Sequence, residues 1–290
     1  MLKTIATITA SCFLTLTCWA KSIGIIQVIE HPALDSTRAG IIETLSQKYP
    51  DLKLSWQSAQ GNMATAVQIA QTYAGKQVDC IIALGTMPAQ AAVKVCQDKN
   101  IPVVYASVTD PKSAGLADKS AGITNFVDIK RQFDVILEFV PTLKTLGIIY
   151  NPGEANSEIL LTLTQDECNK RGIFLKTAVA MKLTDVRTAA QKLIPSVDAI
   201  FVNNDNTALA GFASIVNVAN TVNLPVFASD ADLIKDGAWA VLGADQYEIG
   251  VQAAEFAARL LDQQSTVQEL GIGYPRSVKL YVNEKIKDRT

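Results

Sequence analysis

Short, continuously apolar runs alternate with amphipathic segments along most of the chain. The runs at 81–84 and 148–150 lack polar alternation, which is typical of strands buried on both faces of a parallel sheet. Between such runs, segments such as 35–48 place apolar residues three and four positions apart, which predicts helices that pack on the sheet. Strands that alternate with helices form right-handed βαβ crossovers, so we predict an α/β fold with doubly wound parallel sheets.

This pattern occurs twice in the same order. Three strand sequences recur at nearly constant spacing, with Gly24 matching Gly147, Val78 matching Val197 and Pro102 matching Pro225. The repeat predicts two lobes of similar construction, each with its own sheet. Too few elements follow residue 230 for a third lobe, so we assign them as additions to the first two.

Candidate crossings between the lobes lie at 125–126, 244–245 and 271–273. They divide the chain into a first lobe at 21–124 plus 246–270 and a second lobe at 125–245 plus 271–290. Several crossings make a hinge, whereas a single one would make a loose tether.

Residues 1–20 have the features of a secretory signal peptide. Lys3 precedes an uncharged apolar stretch at 5–16, and small residues lead to a predicted cleavage after Ala20. The stretch is short for a bilayer span, but a membrane anchor is an alternative interpretation, and lipidation at Cys18 is another. A cleaved signal peptide predicts a mature protein in the periplasm or otherwise outside the cytoplasm.

Composition excludes several classes of protein. With 49% hydrophobic and 19% charged residues, the 290-residue chain is globular, and its net charge of −2 gives no basic surface for nucleic acid. His31 is the only histidine, which excludes a multi-histidine metal site, and we expect neither a metal nor a cofactor. Cleavage after Ala20 would leave Cys80, Cys96 and Cys168, an odd number that favours buried thiols over a disulfide framework.

Polar residues concentrate where the predicted strands end, and prolines such as Pro32, Pro111 and Pro152 follow the apolar runs there. In open α/β sheets, the loops at the carboxyl ends of the strands form the binding crevice. Two lobes that face each other with these edges would enclose a cleft. We therefore expect the functional residues in that cleft.

Four loop motifs carry a resemblance to a known family: Glu30-His31-Pro32, Val108-Thr109-Asp110-Pro111, Tyr150-Asn151-Pro152 and Asn204-Asp205-Asn206-Thr207. The chain resembles the type I periplasmic binding proteins, and among them the ABC transporter substrate-binding family that includes tryptophan- and other aromatic amino-acid-binding proteins. The resemblance implies two lobes joined by a multi-crossing hinge, capture of a small molecule by hinge closure, and delivery to an ABC permease in the membrane. It also implies no chemistry on the ligand, and we expect a monomer.

The resemblance implies an amino acid as the ligand, with aromatic amino acids among the candidates. Branched or other small amino acids, or an unrelated metabolite, fit the same polar residues. Met87 stands where the family usually has alanine or proline after Gly-Thr, a difference that changes the shape of the pocket.

A free amino acid needs donors for its carboxylate and acceptors for its ammonium. The predicted ligand-binding residues are His31, Leu34, Thr86, Met87, Thr109, Asp110, Asn156, Ser157, Asp205, Asn206 and Asp230. Hydroxyl and amide groups at predicted helix starts suit the carboxylate in either lobe, and the residues near 205 and 230 suit the ammonium. Leu34, Met87 and Phe126 are candidates for an apolar wall. His31 has a structural interpretation as a hydrogen-bonding residue, and Asp110 has one as a turn former.

Two other functions share this fold. A ligand-sensing protein could present the same two lobes to a membrane receptor. A two-lobed enzyme such as a racemase works from an interlobe cleft with a facing acid–base pair, often two cysteines, but no cysteine is predicted at the productive sheet edge. The sequence also lacks a P-loop and a nucleophile elbow.

Overall fold

The computed structural model describes residues 21–285, so the predicted signal peptide lies outside the described residues. Within this range the chain forms two six-stranded sheets. The strands are β1 (Ser22–Gln27), β2 (Lys53–Ser58), β3 (Cys80–Leu84), β4 (Val103–Val108), β5 (Ala121–Thr124), β6 (Thr145–Tyr150), β7 (Phe174–Val179), β8 (Ala199–Val202), β9 (Val226–Asp230), β10 (Ala240–Ala244), β11 (Ile272–Gly273) and β12 (Val278–Val282).

The two sheets share one construction. The first has the spatial order β11-β5-β4-β3-β1-β2, and the second has the order β12-β10-β9-β8-β6-β7. Neighbouring strands run parallel except β10 and β12, which are antiparallel. This topology confirms the predicted α/β fold of two mostly parallel sheets.

Helices cover both faces of each sheet. They are α1 (Pro32–Lys48), α2 (Met63–Gly75), α3 (Thr86–Cys96), α4 (Ile129–Phe139), α5 (Ala155–Arg171), α6 (Val186–Leu193), α7 (Asn206–Ala210), α8 (Phe212–Asn220), α9 (Gln246–Leu261) and α10 (Val267–Leu270). On β3, Ile81 packs with α2 and α3 whereas Ile82 packs with α1 and α9. Burial on both faces explains why the strands read as unbroken apolar runs. None of the helices between residues 21 and 285 is long and apolar enough to cross a membrane.

Within the described residues the chain passes between the sheets three times. The first passage, at 125–128, follows β5, and the second, at Asp245, lies between β10 and α9. The third lies at 274–277, because Ile272 and Gly273 pair with β5 in the first sheet. The predicted crossing at 271–273 is therefore wrong, since a two-residue strand leaves no readable pattern. We use "first lobe" for 22–124 plus 246–273 and "second lobe" for 129–244 plus 278–282.

Helices α1 and α9 of the first lobe pack backbone against backbone. A Cβ atom on Gly40 would lie 2.3 Å from the carbonyl oxygen of Tyr247, and one on Gly250 would lie 2.1 Å from that of Thr37. Any larger side chain would force the helices apart. Both helices start at the sheet edge where the parallel strands end, so this contact positions their first residues relative to each other.

We expect Gly250→Ala to lower the free energy of unfolding by about 1–3 kcal/mol, because the added methyl group meets backbone that cannot rotate away. Unfolding in urea measures the change. Gly75→Ala at the end of α2 is the control, since a Cβ atom there meets nothing within 4 Å. Equal stability of the two variants would contradict the close-packed helix pair.

Candidate ligand-binding cavity between the two lobes

The two lobes enclose a small cavity at the carboxyl ends of their parallel strands. It has a volume of about 10 Å³, about the space of one water molecule, and is polar except for Ala33, Leu34 and Leu209. Its polar lining comes from both lobes and from the first passage between them: His31, Thr86, Ser107, Thr109, Asn125, Asn156, Asn204, Asn206, Asp230 and Gln246. This space is too small for an amino acid, so a ligand of that size could occupy it only if the lobes moved apart.

His31 is the residue that begins helix α1. Its Nδ1 accepts a hydrogen bond from the backbone N–H of Leu34 at 3.5 Å, so the ring caps the helix. Burial lowers the pKa of His31 to about 4, and the ring is therefore neutral at pH 7. Its Nε2 is buried and has no hydrogen-bond partner of normal geometry among residues 21–285.

Thr86 lies at the start of helix α3, directly after β3. The preceding residue is Gly85, which has φ +95° and no side chain to cap the helix. The backbone N–H groups of Thr86 and Met87 therefore have no side-chain acceptor among the described residues, and they carry the positive end of the helix dipole. Thr86 is 4% exposed and adds a hydroxyl group to the cavity wall. This edge of the first lobe suits an anion.

Gln246, the first residue of α9, joins the lobes. Its Oε1 accepts hydrogen bonds from Ser107 Oγ at 2.9 Å and from Thr37 Oγ1 at 3.2 Å, both in the first lobe. Its Nε2 donates to Asp230 Oδ1 in the second lobe at 2.6 Å. One amide side chain thus links α1, β4 and α9 to the end of β9.

Asp230 is the one acidic residue among those lining the cavity, and none of the lining residues is lysine or arginine. It is 1% exposed, and the bond from Gln246 is the one hydrogen bond that its side chain receives from described residues. Burial, with a smaller contribution from Asp232, raises the pKa of Asp230 to about 7. The carboxylate therefore lacks a positive partner within the cavity.

The carboxylate of Asp205 accepts several hydrogen bonds within the second lobe, unlike that of Asp230. It accepts from Asn151 N–H at 2.6 Å, Ser157 Oγ at 2.5 Å and Ala208 N–H at 2.7 Å, and the last bond caps α7. Burial and the nearby Glu154 raise its pKa. Asp205 and Ser157 thus stabilise the segments that form the cavity wall without lining the cavity, although both were predicted to bind the ligand.

Two other predicted residues also lie off the cavity. Met87 packs against the apolar cores of the first lobe. Asp110 shapes a turn by accepting from the N–H groups of Lys112 and Ser113 at 3.0 Å. Phe126, a candidate for the apolar wall, lines a separate hollow beside the hinge. The remaining predicted residues line the cavity together: His31, Leu34, Thr86, Thr109, Asn156, Asn206 and Asp230.

Six lining residues were missed by the sequence prediction: Ala33, Ser107, Asn125, Asn204, Leu209 and Gln246. Most of them are neighbours of predicted positions in the same loops, so wider loop segments would have included them. Gln246 had no such signal, because it opens a helix after a crossing and resembles any polar residue at a helix start.

The described cysteines lie away from the cavity. Cys80, Cys96 and Cys168 are buried and unpaired, as predicted. Burial raises the pKa of Cys80 to about 12 and those of Cys96 and Cys168 to about 11, so these thiols are protonated and inert at pH 7. No pair of them faces the ligand space.

Comparison with known proteins gives consistent matches over nearly the whole chain. The family model described as ABC transporter substrate binding protein matches residues 22–289. A tyrosine-binding protein from Clostridioides difficile (strain R20291) is 30% identical over 275 residues, which cover 91% of this chain and 79% of that protein.

Two solved structures share the fold. The ABC domain in complex with L-Trp from Streptococcus pneumonia has a TM-score of 0.87 at 22% identity, covering 93% of this chain and 94% of that one. A ligand-free, open structure of a substrate binding protein from Clostridium difficile, with the same coverage, has a TM-score of only 0.67 at 28% identity. The two lobes of the described structure enclose the cavity between them, and we refer to this arrangement as closed.

The two buried aspartates of the second lobe should respond differently to substitution. Asp205→Asn places an amide among three donors, and each buried donor left unpaired costs about 1–3 kcal/mol of stability. Asp230→Asn keeps an oxygen for Gln246 and removes a buried charge, so stability is expected to hold or rise. Urea unfolding of the ligand-free variants near pH 7.5 measures both values, and the opposite ranking would contradict these roles.

Proposed function

Because the chain belongs to the family of ABC transporter substrate-binding proteins, we propose that it captures an amino acid in the cavity between its lobes and delivers it to an ABC permease. Proteins of this family bind small molecules for such permeases. We further propose that the mature protein acts as a monomer in the periplasm or otherwise outside the cytoplasm.

The observation that carries the proposal is the Asp230 carboxylate, which is buried in the cavity without a positive partner. Burial of an unpaired charge is costly, and a ligand ammonium group would offset that cost. The free N–H groups of α3 and the hydroxyl of Thr86 offer donors for a carboxylate on the first lobe. A zwitterion fits this arrangement, with its ammonium toward the second lobe and its carboxylate toward the first.

The ligand side chain has a small apolar surface at Ala33, Leu34 and Leu209. Aromatic amino acids are the first candidates, because a 30% identical relative is a tyrosine-binding protein and a structural neighbour was solved with L-Trp. Hinge closure would complete the site: the ligand contacts both lobes, and these contacts shift the population to the closed form. The closed form then docks on the permease.

Isothermal titration calorimetry with L-tyrosine, L-tryptophan, L-phenylalanine, L-leucine and myo-inositol tests the proposal. We expect an amino acid to bind, and Asp230→Asn to weaken its binding at least about 30-fold, the effect of losing about 2 kcal/mol from a buried charge pair. Asp236→Asn is the matched control, since this exposed aspartate does not line the cavity and its loss should leave affinity unchanged. Binding of myo-inositol alone, or an unchanged affinity of Asp230→Asn, would contradict an ammonium site at this carboxylate.

Closure of the ligand-free protein should depend on pH. Burial in the closed form raises the pKa of Asp230 to about 7, and we expect a solvated Asp230 in the open form to release this proton. The closed population is therefore expected to grow as pH falls from about 8 to about 6.5. Below that pH His31, whose pKa burial lowers to about 4, opposes closure because its imidazole takes up a proton more readily in the open form. Small-angle scattering measures the closed population. Asp230→Asn should remove the dependence between about pH 8 and 6.5, and a bound ammonium group should do the same by keeping the carboxylate ionised.

A further inference from the structure

We propose that His31 recognises the ligand carboxylate through Nε2–H, as a neutral donor whose tautomer is fixed by helix α1. This inference rests on the proposed function, because it assigns one end of an amino acid to one side chain. It makes His31 a specificity-determining residue in addition to the residue that caps the helix.

The cap determines which ring nitrogen carries the proton. Nδ1 accepts the N–H of Leu34, so Nδ1 itself is unprotonated. In a neutral imidazole the other nitrogen then holds the hydrogen, which makes Nε2 a donor only. The ring therefore offers its second nitrogen to a hydrogen-bond acceptor.

This donor has no partner of normal geometry among the described residues. Nε2 is buried, His31 is 5% exposed, and the residue lines the cavity. Asn206 is close enough for a weak side-chain hydrogen bond to the ring, and this bond and Asp35 on α1 both favour the charged form of the imidazole, but burial outweighs them and lowers its pKa. A buried donor without an acceptor costs about 1–3 kcal/mol, which an acceptor on the ligand would recover.

Capping alone does not explain a histidine at this position. Serine, threonine, asparagine and aspartate cap helices well and need only one acceptor atom. Asn62 shows this at α2, where its Oδ1 accepts from Thr65 N–H at 3.0 Å. The imidazole supplies the same acceptor and adds a donor on the far side of the ring, which is the side that a cap does not use.

The acceptor is best assigned as a carboxylate because two helix N-termini converge here. The 17-residue α1 acts through the imidazole, since its N–H polarises Nδ1 and so strengthens the Nε2–H donor. Helix α3 acts directly through its uncapped first turn beside Thr86. Together they can hold an anion without lysine or arginine in the wall, while Asp230 holds the cation at the other end.

Nuclear magnetic resonance can test this ring alone, because His31 is the only histidine in the chain. The protein is labelled with ¹⁵N-histidine and purified without a histidine tag. On saturation with L-tyrosine, or with the amino acid that binds best in calorimetry, we expect a protonated Nε2, an unprotonated Nδ1 and a downfield Nε2–H signal protected from exchange. An Nδ1–H tautomer, or an Nε2–H signal that exchanges freely in the saturated complex, would overturn the proposal.

The variant His31→Asn keeps a capping oxygen, but its side chain is shorter than that of histidine, so its amide N–H groups do not reach the position of Nε2–H. We expect it to bind L-tyrosine about tenfold or more weakly, the loss of one charge-assisted hydrogen bond, and to bind the decarboxylated analogue tyramine within about threefold of wild type. Asn62→Ala, which removes a cap far from the cavity, should lower stability and leave both affinities unchanged. Equal losses for the two ligands would assign His31 a purely structural role.

The wild-type titrations separate the two proposals. If no amino acid binds the wild-type protein, the proposed function fails whatever His31 does. If an amino acid binds and His31→Asn retains its full affinity, only the assignment of His31 fails.

Discussion

The cost of removing the Asp230 carboxylate from water constrains the whole cavity. Its side chain receives one hydrogen bond, from Gln246, and no basic side chain shares the wall. Closed lobes without a cation must therefore either bury a charge or take up a proton. We expect an open form to avoid both costs, because water could then solvate the carboxylate. A ligand with an ammonium group changes this balance, so one residue couples the choice of ligand to the conformation of the protein.

The first lobe places its polar groups accurately because α1 and α9 are in backbone contact. The glycines at positions 40 and 250 let the helices approach, and the first turns of both helices then meet at the cavity. His31 begins one helix and Gln246 begins the other. Thr37 on α1 also bonds Gln246 directly. The spacing of the donors thus derives from helix packing deep in the lobe, away from the ligand.

The fold could be predicted from the sequence because strands that are buried on both faces consist of continuous apolar residues, and because the pattern of strands and helices occurs twice. The approximate site was also readable, since loops at the carboxyl ends of parallel strands must meet. The role of each residue could not be predicted from the sequence. Asp205 and Asp230 both lie at the ends of buried strands, and only their hydrogen-bond partners distinguish a structural carboxylate from one that is left without a cationic partner in the cavity. Gln246 and the short strand β11 were missed because their partners come from distant parts of the chain.

The chain passes between the lobes three times within the described residues, and this affects the order in which the elements of each lobe can assemble. The first lobe acquires α9 and β11 only after the entire second sheet except β12 has been synthesised. An emerging polypeptide can therefore pair β1 to β5 early, but one face of that sheet is covered only by α1 until α9 arrives. His31 and Gln246 can come together only after most of the second sheet has been synthesised. Ligand binding consequently requires the nearly complete chain. A truncated translation product would contain the first sheet but lack part of the binding site.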